Sequence, residues 1–517
     1  MTKSTRSRRP RQRPRTKKVC RHQDQPILWP EADHPGPVFR RRHVQVKIHE
    51  RGDITSYGGL SLAHEWASRL VVDQLINDQV HLLKKHVPYY ESDHLLTQVY
   101  NLYVGGRCIE DIGHFQHSEA IKRLLGACRV PDPTTAGYFL RRFDTYSLHD
   151  FQSAIDEARE KVWRQLRHEH KRVATIDMDS TVKPVYGQCK QGADFSHNGM
   201  WSYHPFLVTL EHTNELLRTI NRPGNSASAE GAAEALAEVL PMANRHFKQI
   251  RVRGDSAFYQ RAIIAECERA KAQFALVMDG YGLLHKTAET LPQNAWKLFN
   301  AEPQSKKVIR VKRRRKRDRS QRRIARRRGY RTLTKTKEWV AEFAYVMPRR
   351  SKDQDHGLAG RRYRVIVKRQ LVEVTEGENA LFEEHRHRFL ITNISKRQMD
   401  AASVLRFAYG RCDQENTIEQ MKNGIQALRM PTGELLANAA FLMCGQLAWC
   451  LRSWLSLLAL PKETLRYKWN WFRHAFVYVA AKITESGRQA HVHLTGFHRF
   501  VEHMAIAARR LNSFNFP

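Results

Sequence analysis

The chain has 517 residues, enough for roughly two to four domains around a substantial hydrophobic core. Its 87 Lys and Arg residues outnumber 52 Asp and Glu residues, which gives a formal net charge of +35 at pH 7. This excess favours a polyanionic partner, and nucleic acid fits it better than an anionic membrane surface does. Eight cysteines without a CxxC pair exclude a zinc ribbon and a dense disulfide framework, and they favour a reducing cytoplasm.

The N-terminal third of the sequence is basic and then helical. Residues 1–45 predict a disordered basic arm that tracks phosphates, because they lack the apolar core of a secretory signal. Residues 46–165 predict a helical DNA-binding domain from their apolar periodicity. Within it, residues 134–143 begin with Thr and become basic and amphipathic, as a helix in a DNA groove would; simple packing in a helical bundle is the equal alternative.

Short strands alternate with helices over residues 166–280. The strands are predicted at 172–179, 205–210, 215–220, 249–255 and 274–278, with helices at 228–240 and 258–271. This alternation predicts an α/β fold with a mixed sheet flanked by helices. Asp177 and Asp179 are two residues apart, so both project from one face of the first strand. Asp255 ends a later strand directly after Gly254, where the alternative role is to cap a turn.

Residues 281–392 interrupt this alternation and predict a basic, mainly β insertion. The run Lys306–Arg328 contains fifteen Lys and Arg residues and a single acid. Trp339 in this insertion suits stacking on an extruded base and a place in the core equally well. Residues 393–435 are predicted to be helical and residues 436–517 to form a helical C-terminal region. The apolar stretch Leu435–Leu460 is interrupted by polar residues, which predicts a buried helix or hairpin rather than a membrane span.

One helical stretch, from Tyr409 to Lys422, sets a carboxylate among basic residues. Arg411, Glu415 and Lys422 are four and seven residues apart and fall on one stripe of a helix. Such a stripe is typical of surface ion pairs, and it equally suits a metal-binding carboxylate with phosphate-binding neighbours. Together with Asp177 or Asp179 and Asp255, Glu415 completes a set of acids that suits Mg²⁺-dependent phosphodiester chemistry.

The ordered motifs resemble those of DDE transposases of bacterial insertion sequences. They are Asp177-Met-Asp-Ser-Thr181, Tyr186-Gly-Gln188 with Gly192, His204-Pro-Phe-Leu207, Arg222-Pro-Gly-Asn225, Arg253-Gly-Asp-Ser256 and Tyr409-x-Arg411-x₃-Glu415-x₆-Lys422. The resemblance extends over about residues 60–455. It implies an RNase H-like core that a β insertion interrupts before the last acid. In two places the sequence departs from the family pattern: a single residue separates Tyr409 from Arg411, and the insertion is unusually basic.

The resemblance also implies the residues of the site. Asp179, Asp255 and Glu415 are the expected catalytic and metal-binding acids, holding two Mg²⁺ ions for which Mn²⁺ substitutes. Arg411, Lys422 and Tyr409 are the expected DNA-binding residues. Asp177 stays an alternative to Asp179, and Glu419, one turn beyond Glu415, stays an alternative third acid.

The implied activity is that of a transposase that binds the terminal inverted repeats of its element, cleaves the ends and joins them to target DNA. The expected partners are double-stranded DNA and a second copy of the chain, with no membrane. The expected location is the bacterial cytoplasm, at the nucleoid. The rival hypotheses are a catalytically inactive nucleic-acid-binding relative and a nuclease without strand transfer.

Overall fold

The computed structural model describes residues 52–300, 309–310, 331–376, 379–487 and 489–514. The predicted arm at residues 1–45 lies outside the described residues, and so does nearly all of the basic run Lys306–Arg328. Residues 51–517 form one compact unit. The boundaries predicted between segments within that unit stay a prediction.

The predicted helical region at residues 46–165 consists, where described, of a two-residue strand and a series of helices. Their bounds are β1 Ile54–Thr55, α1 Leu60–Arg69, α2 Val72–Gln79, α3 Glu91–Val104, α4 Gly113–Gln116, α5 Glu119–Leu124, α6 Pro133–Leu140 and α7 Thr145–Gln165. Helix α6 is the segment predicted to start at Thr134. It starts one residue earlier because the Asp132 carboxylate accepts hydrogen bonds from the Thr134 and Thr135 amides, at 2.9 and 3.0 Å.

Strands then dominate the chain up to residue 392. Their bounds are β2 Val173–Ser180, β3 Lys183–Pro184, β4 Asp194–Phe195, β5 Trp201–Tyr203, β6 Phe206–Leu210, β7 Glu215–Ile220, β8 Gln249–Gly254, β9 Gln273–Met278, β10 Lys297–Asn300, β11 Ile309–Arg310, β12 Arg331–Val346, β13 Arg362–Glu376 and β14 Asn379–Thr392. The helices among and after them are α8 Ala232–Asn244, α9 Arg261–Arg269, α10 Gly282–Glu289, α11 Lys352–Asp355, α12 Ala401–Tyr409, α13 Cys412–Glu419, α14 Leu435–Leu458, α15 Trp469–Phe476 and α16 Val501–Leu511.

Ten of these strands form one mixed sheet in the order β10-β12-β13-β14-β9-β8-β2-β6-β7, with β11 paired to β12. The strands β7, β6 and β2 are antiparallel, whereas β8 runs parallel to β2 and β9 runs parallel to β8. The insertion continues the same sheet, because β14 pairs antiparallel with β9. The predicted mixed sheet with flanking helices and a mainly β insertion is therefore confirmed.

Strand β2 separates two environments because its side chains alternate between the faces of the sheet. Ala174, Ile176 and Met178 are fully buried in an apolar cluster with α8 and α9. Asp177 and Asp179 project from the opposite face, so the strand itself separates these two carboxylates from the apolar core.

Helix α14 runs through the middle of the molecule, and every residue from Ala437 to Ser456 is buried. It is the one helix of the described part long and apolar enough to cross a membrane, and 89% of that apolar window is buried inside the protein. This confirms the prediction of a buried helix in Leu435–Leu460. Such burial is what a core helix shows.

A buried polar network attaches α14 to the edge strand β7. The Glu215 carboxylate is fully buried and accepts hydrogen bonds from the indole N–H groups of Trp163 at 2.9 Å and Trp454 at 2.7 Å. Arg159, also fully buried, contacts the same carboxylate at 3.3 Å. A buried charge is tolerated only with such partners, so the network fixes α7, β7 and α14 to one another.

The predicted helical C-terminal region contains a β-hairpin as well as helices. Strands β15 Ala481–Ser486 and β16 Gln489–Leu494 pair antiparallel, and β15 also pairs with β1. The hairpin sequence is polar on both sides of Ile483, so it lacks the clear apolar alternation from which a strand is predicted.

Candidate active site

The acids on β2 and β8 meet because the two strands are parallel and in register. Asp177 lies opposite Arg253, so the positions two residues further along the two strands are Asp179 and Asp255. Asp255 raises the pKa of Asp179, which shows that the two carboxyl groups lie within electrostatic reach of each other. The structure therefore brings two of the three predicted acids together at the carboxyl ends of neighbouring strands.

Asp177 has a different role, because it is committed to a buried ion pair. Arg253 donates two hydrogen bonds of 2.6 Å to the two carboxylate oxygens of Asp177, and both side chains are 2% exposed. Glu211 contacts the same guanidinium at 3.1 Å. A carboxylate engaged through both oxygens is occupied, which favours Asp179 over Asp177 as the reactive acid.

Asp179 is largely buried, and its surroundings disfavour its charged form. Burial raises its pKa to about 6, Arg411 opposes that rise, and Asp255 adds to it. The Arg411 guanidinium Nη1 lies 3.0 Å from Asp179 Oδ2. Arg411 thus lies at the acidic pair rather than on an unrelated surface helix, which is where a phosphate-binding residue of the site would have to be.

Asp255 caps the turn that follows β8. Its Oδ1 accepts a 2.9 Å hydrogen bond from the Ala257 amide at the start of a short 3₁₀ helix, Ser256–Phe258. The sequence offered turn capping and metal binding as alternative roles for this acid. The cap engages Oδ1, so capping orients the carboxylate beside Asp179 and is compatible with metal binding through the other oxygen.

Glu415 lies exposed on α13. The preceding residue, Gln414, is buried and donates hydrogen bonds to the Asp177 carbonyl at 3.1 Å and the Leu207 carbonyl at 3.2 Å. Helix α13 is thereby attached to β2 and β6 at the residue next to Glu415. Glu419, the alternative acid, is also exposed, and its carboxylate accepts hydrogen bonds from Gln420 and Asn423.

Lys422 lies near the acidic pair on a short π-helical segment, Gln420–Gly424. Its ammonium group donates to the Thr181 hydroxyl, two residues beyond Asp179. Burial lowers the pKa of Lys422, and the negative charge of Asp179 opposes that effect. The predicted pair Arg411 and Lys422 therefore both lie within electrostatic reach of Asp179.

Tyr409 contacts the insertion rather than the acids. The Lys368 ammonium group of β13 lies 4.6 Å from the centre of the Tyr409 ring, and Lys368 also pairs with Glu338 at 3.1 Å. Trp339 is partly buried against the apolar cluster of the sheet, and the Arg369 guanidinium lies 5.1 Å from the centre of its ring. This placement favours the core role for Trp339.

The sequence predicted no role for four contributors to this region: Arg253, which it placed only within a motif, and Gln414, Lys183 and Arg429. The charges of Arg429 and Lys422 both act on Lys183, so these three cations lie close together. Arg253 projects from the same face of the sheet as Asp177, because the two residues lie opposite each other on parallel strands. The sequence does not show this register, so it could not reveal the pair. Gln414 and Arg429 lie on helical and turn segments where no spacing rule selects them.

Two of the three predicted metal ligands, Asp179 and Asp255, lie where they could bind a divalent cation together. Asp179 and Asp255 supply hard oxygen donors, and their mutual repulsion is the kind that a bound cation offsets. Within the described residues, no three His, Cys, Asp or Glu side chains form a group ready to hold a metal ion. Glu415 is therefore not brought against the acidic pair here, and its role as third ligand stays a prediction.

Comparison with known proteins gives a family for this chain. A family model described as transposase DDE domain group 1 matches residues 37–515. Among solved structures, the chain is similar to a piggyBac transposase in a synaptic complex with hairpin DNA, at 9% sequence identity, over 80% of this chain and 81% of that one, with a TM-score of 0.31. No curated protein matches. Because the family model extends over most of the chain, the protein belongs to the transposase DDE domain group 1 family.

Proposed function

We propose that this transposase binds the terminal inverted repeats of its own element, cleaves the DNA at the element ends and joins those ends to target DNA. The observation that carries the proposal is the pair Asp179 and Asp255, side by side at the ends of parallel strands, with Arg411 and Lys422 beside it. In such an arrangement the two acids suit the positive metal ions, and the basic residues around them suit the negative phosphodiester.

Asp179, Asp255 and Glu415 are the residues that would hold two Mg²⁺ ions, for which Mn²⁺ substitutes. When bound, the ions neutralise charge on the scissile phosphate and lower the pKa of an attacking water. The inclusion of Glu415 is supported by the family resemblance, and Gln414, the residue before it, attaches the start of the same helix to β2. The bidentate pair of Asp177 with Arg253 supports leaving Asp177 out of this set.

The basic residues bind and orient the DNA. Arg411 offers a planar set of N–H donors that suits a phosphate, and its contact with Asp179 holds it at the site. Lys422 offers a second positive charge, fixed by its hydrogen bond to Thr181. Tyr409 belongs to the DNA-binding set by the family resemblance, and its ring rests on the buried Lys368 ammonium group at 4.6 Å.

The chemistry consists of two in-line displacements at phosphorus. In the first, a water oxygen bonds to phosphorus as the bond to the 3′ oxygen breaks, which leaves a 3′-hydroxyl and a 5′-phosphate. In the second, that 3′-hydroxyl bonds to a target phosphorus and the target's own 3′ oxygen leaves. Each nucleophile loses a proton to solvent and each departing oxygen gains one. No covalent bond to the protein is needed, so positioning and electrostatics account for the catalysis.

We further propose that a homodimer acts on DNA in the bacterial cytoplasm, at the nucleoid. Two element ends must be brought together before joining, which a symmetric pair of chains provides. The net charge of +35 supports association with DNA at the nucleoid.

The test is incubation of the protein with a supercoiled plasmid that carries the element and its flanking DNA, in Mg²⁺ and in EDTA. We expect cuts at the element ends and joined products in Mg²⁺ alone. Binding without cuts would indicate the inactive relative, and cuts without joined products would indicate a nuclease. Either result would contradict the proposal.

A further inference from the structure

A second, small sheet follows the strand that carries Asp179. It comprises residues 183–203, whose strands pair antiparallel in the order β3-β5-β4. The segment starts four residues after Asp179 and ends three residues before β6, which returns beside β2. Its position in the chain therefore keeps it next to the acidic pair at both of its ends.

The small sheet exposes aromatic rings. Tyr186 is 90% exposed and Phe195 is 63% exposed. Trp201 connects the two segments that carry these rings, because its indole N–H donates to the carbonyl of Gly187, the residue after Tyr186, at 3.0 Å and its ring meets the Phe195 ring edge-on at 5.4 Å. Exposed aromatic side chains grouped in this way mark a binding surface rather than a folding requirement.

The base of the small sheet is fixed, so the rings are presented from a rigid support. The Lys190 ammonium group donates to the carbonyls of Met430 and Thr432 at 2.6 and 2.7 Å. The Gln191 amide donates to the Gly433 carbonyl at 2.8 Å. These bonds attach the small sheet to the turn that follows Lys422 in the chain.

Positive charges lie at the start of the small sheet. Lys183, at the start of the small sheet, lies close enough to Arg429 and Lys422 that burial, Arg429 and Lys422 each lower its pKa. Arg429 is exposed, and its guanidinium donates to the uncharged Gln426 side chain at 2.9 Å. Three neighbouring cations repel one another, and phosphates are the groups that relieve such repulsion.

We propose that the small sheet, with Lys183 and Arg429, binds an unpaired stretch of DNA beside Asp179, with phosphates on the cations and bases stacked on Tyr186 and Phe195. Exposed aromatic rings beside a basic track are the physical requirements for binding single-stranded nucleic acid, because every base has a face that stacks. The inference rests on the proposed function, since it is cleavage beside Asp179 that gives a locally opened duplex a reason to lie there.

The test compares the affinities of the full chain for two DNAs in EDTA: a duplex with a forked, unpaired end and a fully paired duplex of equal length. We expect the parent to prefer the fork. Tyr186→Ala combined with Phe195→Ala is expected to reduce that preference by about fivefold or more, as loss of base stacking implies. Tyr186→Phe, which keeps the ring, is expected to retain it.

The control is Phe497→Ala, which removes an aromatic ring outside the small sheet that is 87% exposed. It should leave the fork preference unchanged. In a second arm, Lys183→Gln with Arg429→Gln should weaken binding of both DNAs and lower the slope of log affinity against log salt by about one to two. An unchanged salt slope would contradict the phosphate contacts.

Equal affinity of the parent for fork and duplex, or an unchanged preference after removal of both rings, would overturn the proposal. Loss of self-association in the double alanine variant with the fork preference intact would assign the rings to a second copy of the chain and would overturn it too. Failure of the plasmid to be cut by the parent contradicts the proposed function instead, because the fork measurement requires no cleavage.

Discussion

Arg253 holds Asp177 through two hydrogen bonds of 2.6 Å, two residues before Asp179 on the same face of the same strand. The same guanidinium donates to the Phe407 carbonyl at 3.0 Å and lies 5.1 Å from the Phe407 ring centre. Arg253 thus connects β2 to helix α12, which leads into the helix with Glu415. Asp177 is thus held by a buried guanidinium, whereas Asp179 contacts the partly buried Arg411 at 3.0 Å.

This division of labour predicts opposite effects on stability. Asp177→Asn should lower the free energy of unfolding by about 3 kcal/mol, because it leaves the buried Arg253 without its counter-charge. Asp179→Asn should leave the free energy unchanged or raise it, because it removes repulsion with Asp255. Urea unfolding of the two isosteric variants at neutral pH measures both. Equal destabilisation by the two changes would contradict the assignment.

The buried network around Glu215 predicts a large loss of stability when that residue, which lies outside the candidate active site, is replaced. Glu215→Ala should lower the free energy of unfolding by about 3–5 kcal/mol, because Arg159 would be buried without its partner and two indole N–H groups would lose their acceptor. Glu485→Ala, at an exposed position of β15, is the control and should change it by about 0.5 kcal/mol or less. Similar losses for both variants would rule out the proposed role of the network.

The buried His94 ring is expected to make the folded protein less stable in mild acid. Its ring stacks on Phe139 with centroids 4.3 Å apart, and burial lowers its pKa from 6.5 to about 4. Glu91 and Asp132 oppose this shift, and Arg142 adds to it. Because the folded pKa lies below the unfolded one, the unfolded chain binds more protons between about pH 6.5 and 4, and stability falls as the pH falls through that window.

His94→Phe should reduce this acid sensitivity. We expect the loss of unfolding free energy between pH 7 and pH 5 to be smaller in the variant by about 1–2 kcal/mol. Urea unfolding at the two pH values provides the measurement. An identical loss in the parent and the variant would show that His94 contributes nothing to the acid response.

The choice between Glu415 and Glu419 gives a prediction about activity alone. Both acids are exposed on α13 or at its end, so Glu415→Gln and Glu419→Gln should each leave stability within about 0.5 kcal/mol of the parent. Glu415→Gln should abolish cleavage of the plasmid, and Glu419→Gln should retain it. The reverse pattern would transfer the third ligand to Glu419.

The sequence predicted the strands of the central sheet well because their apolar runs are short and bounded by turns. Asp177 and Asp179 were correctly placed on one face of a strand, since a period of two residues fixes that face. Their different roles depend on Arg253, whose strand lies some 75 residues further along. Only the parallel register brings Arg253 opposite Asp177, so spacing within a single strand could not separate the two acids.

The hairpin at 481–494 and the small sheet at 183–203 were not predicted. Both consist of short strands with mixed polar and aromatic residues. Such strands lack the regular apolar alternation from which a strand is predicted. The aromatic and basic character of the small sheet is visible in the sequence. Its position beside Lys422 and Arg429 follows from tertiary contacts alone, chiefly the bonds of Lys190 to the turn beyond Lys422.

The central claim, that Asp179 and Asp255 are the catalytic acids of a DNA-cleaving site, is tested most directly by plasmid cleavage and DNA binding of three variants. Asp279→Asn is the matched control, because Asp279 is an exposed acid just beyond the next parallel strand. We predict that Asp179→Asn and Asp255→Asn abolish cleavage in Mg²⁺ and Mn²⁺ while element-end binding persists, and that Asp279→Asn cuts like the parent. Undiminished cleavage by Asp179→Asn or Asp255→Asn would contradict the account.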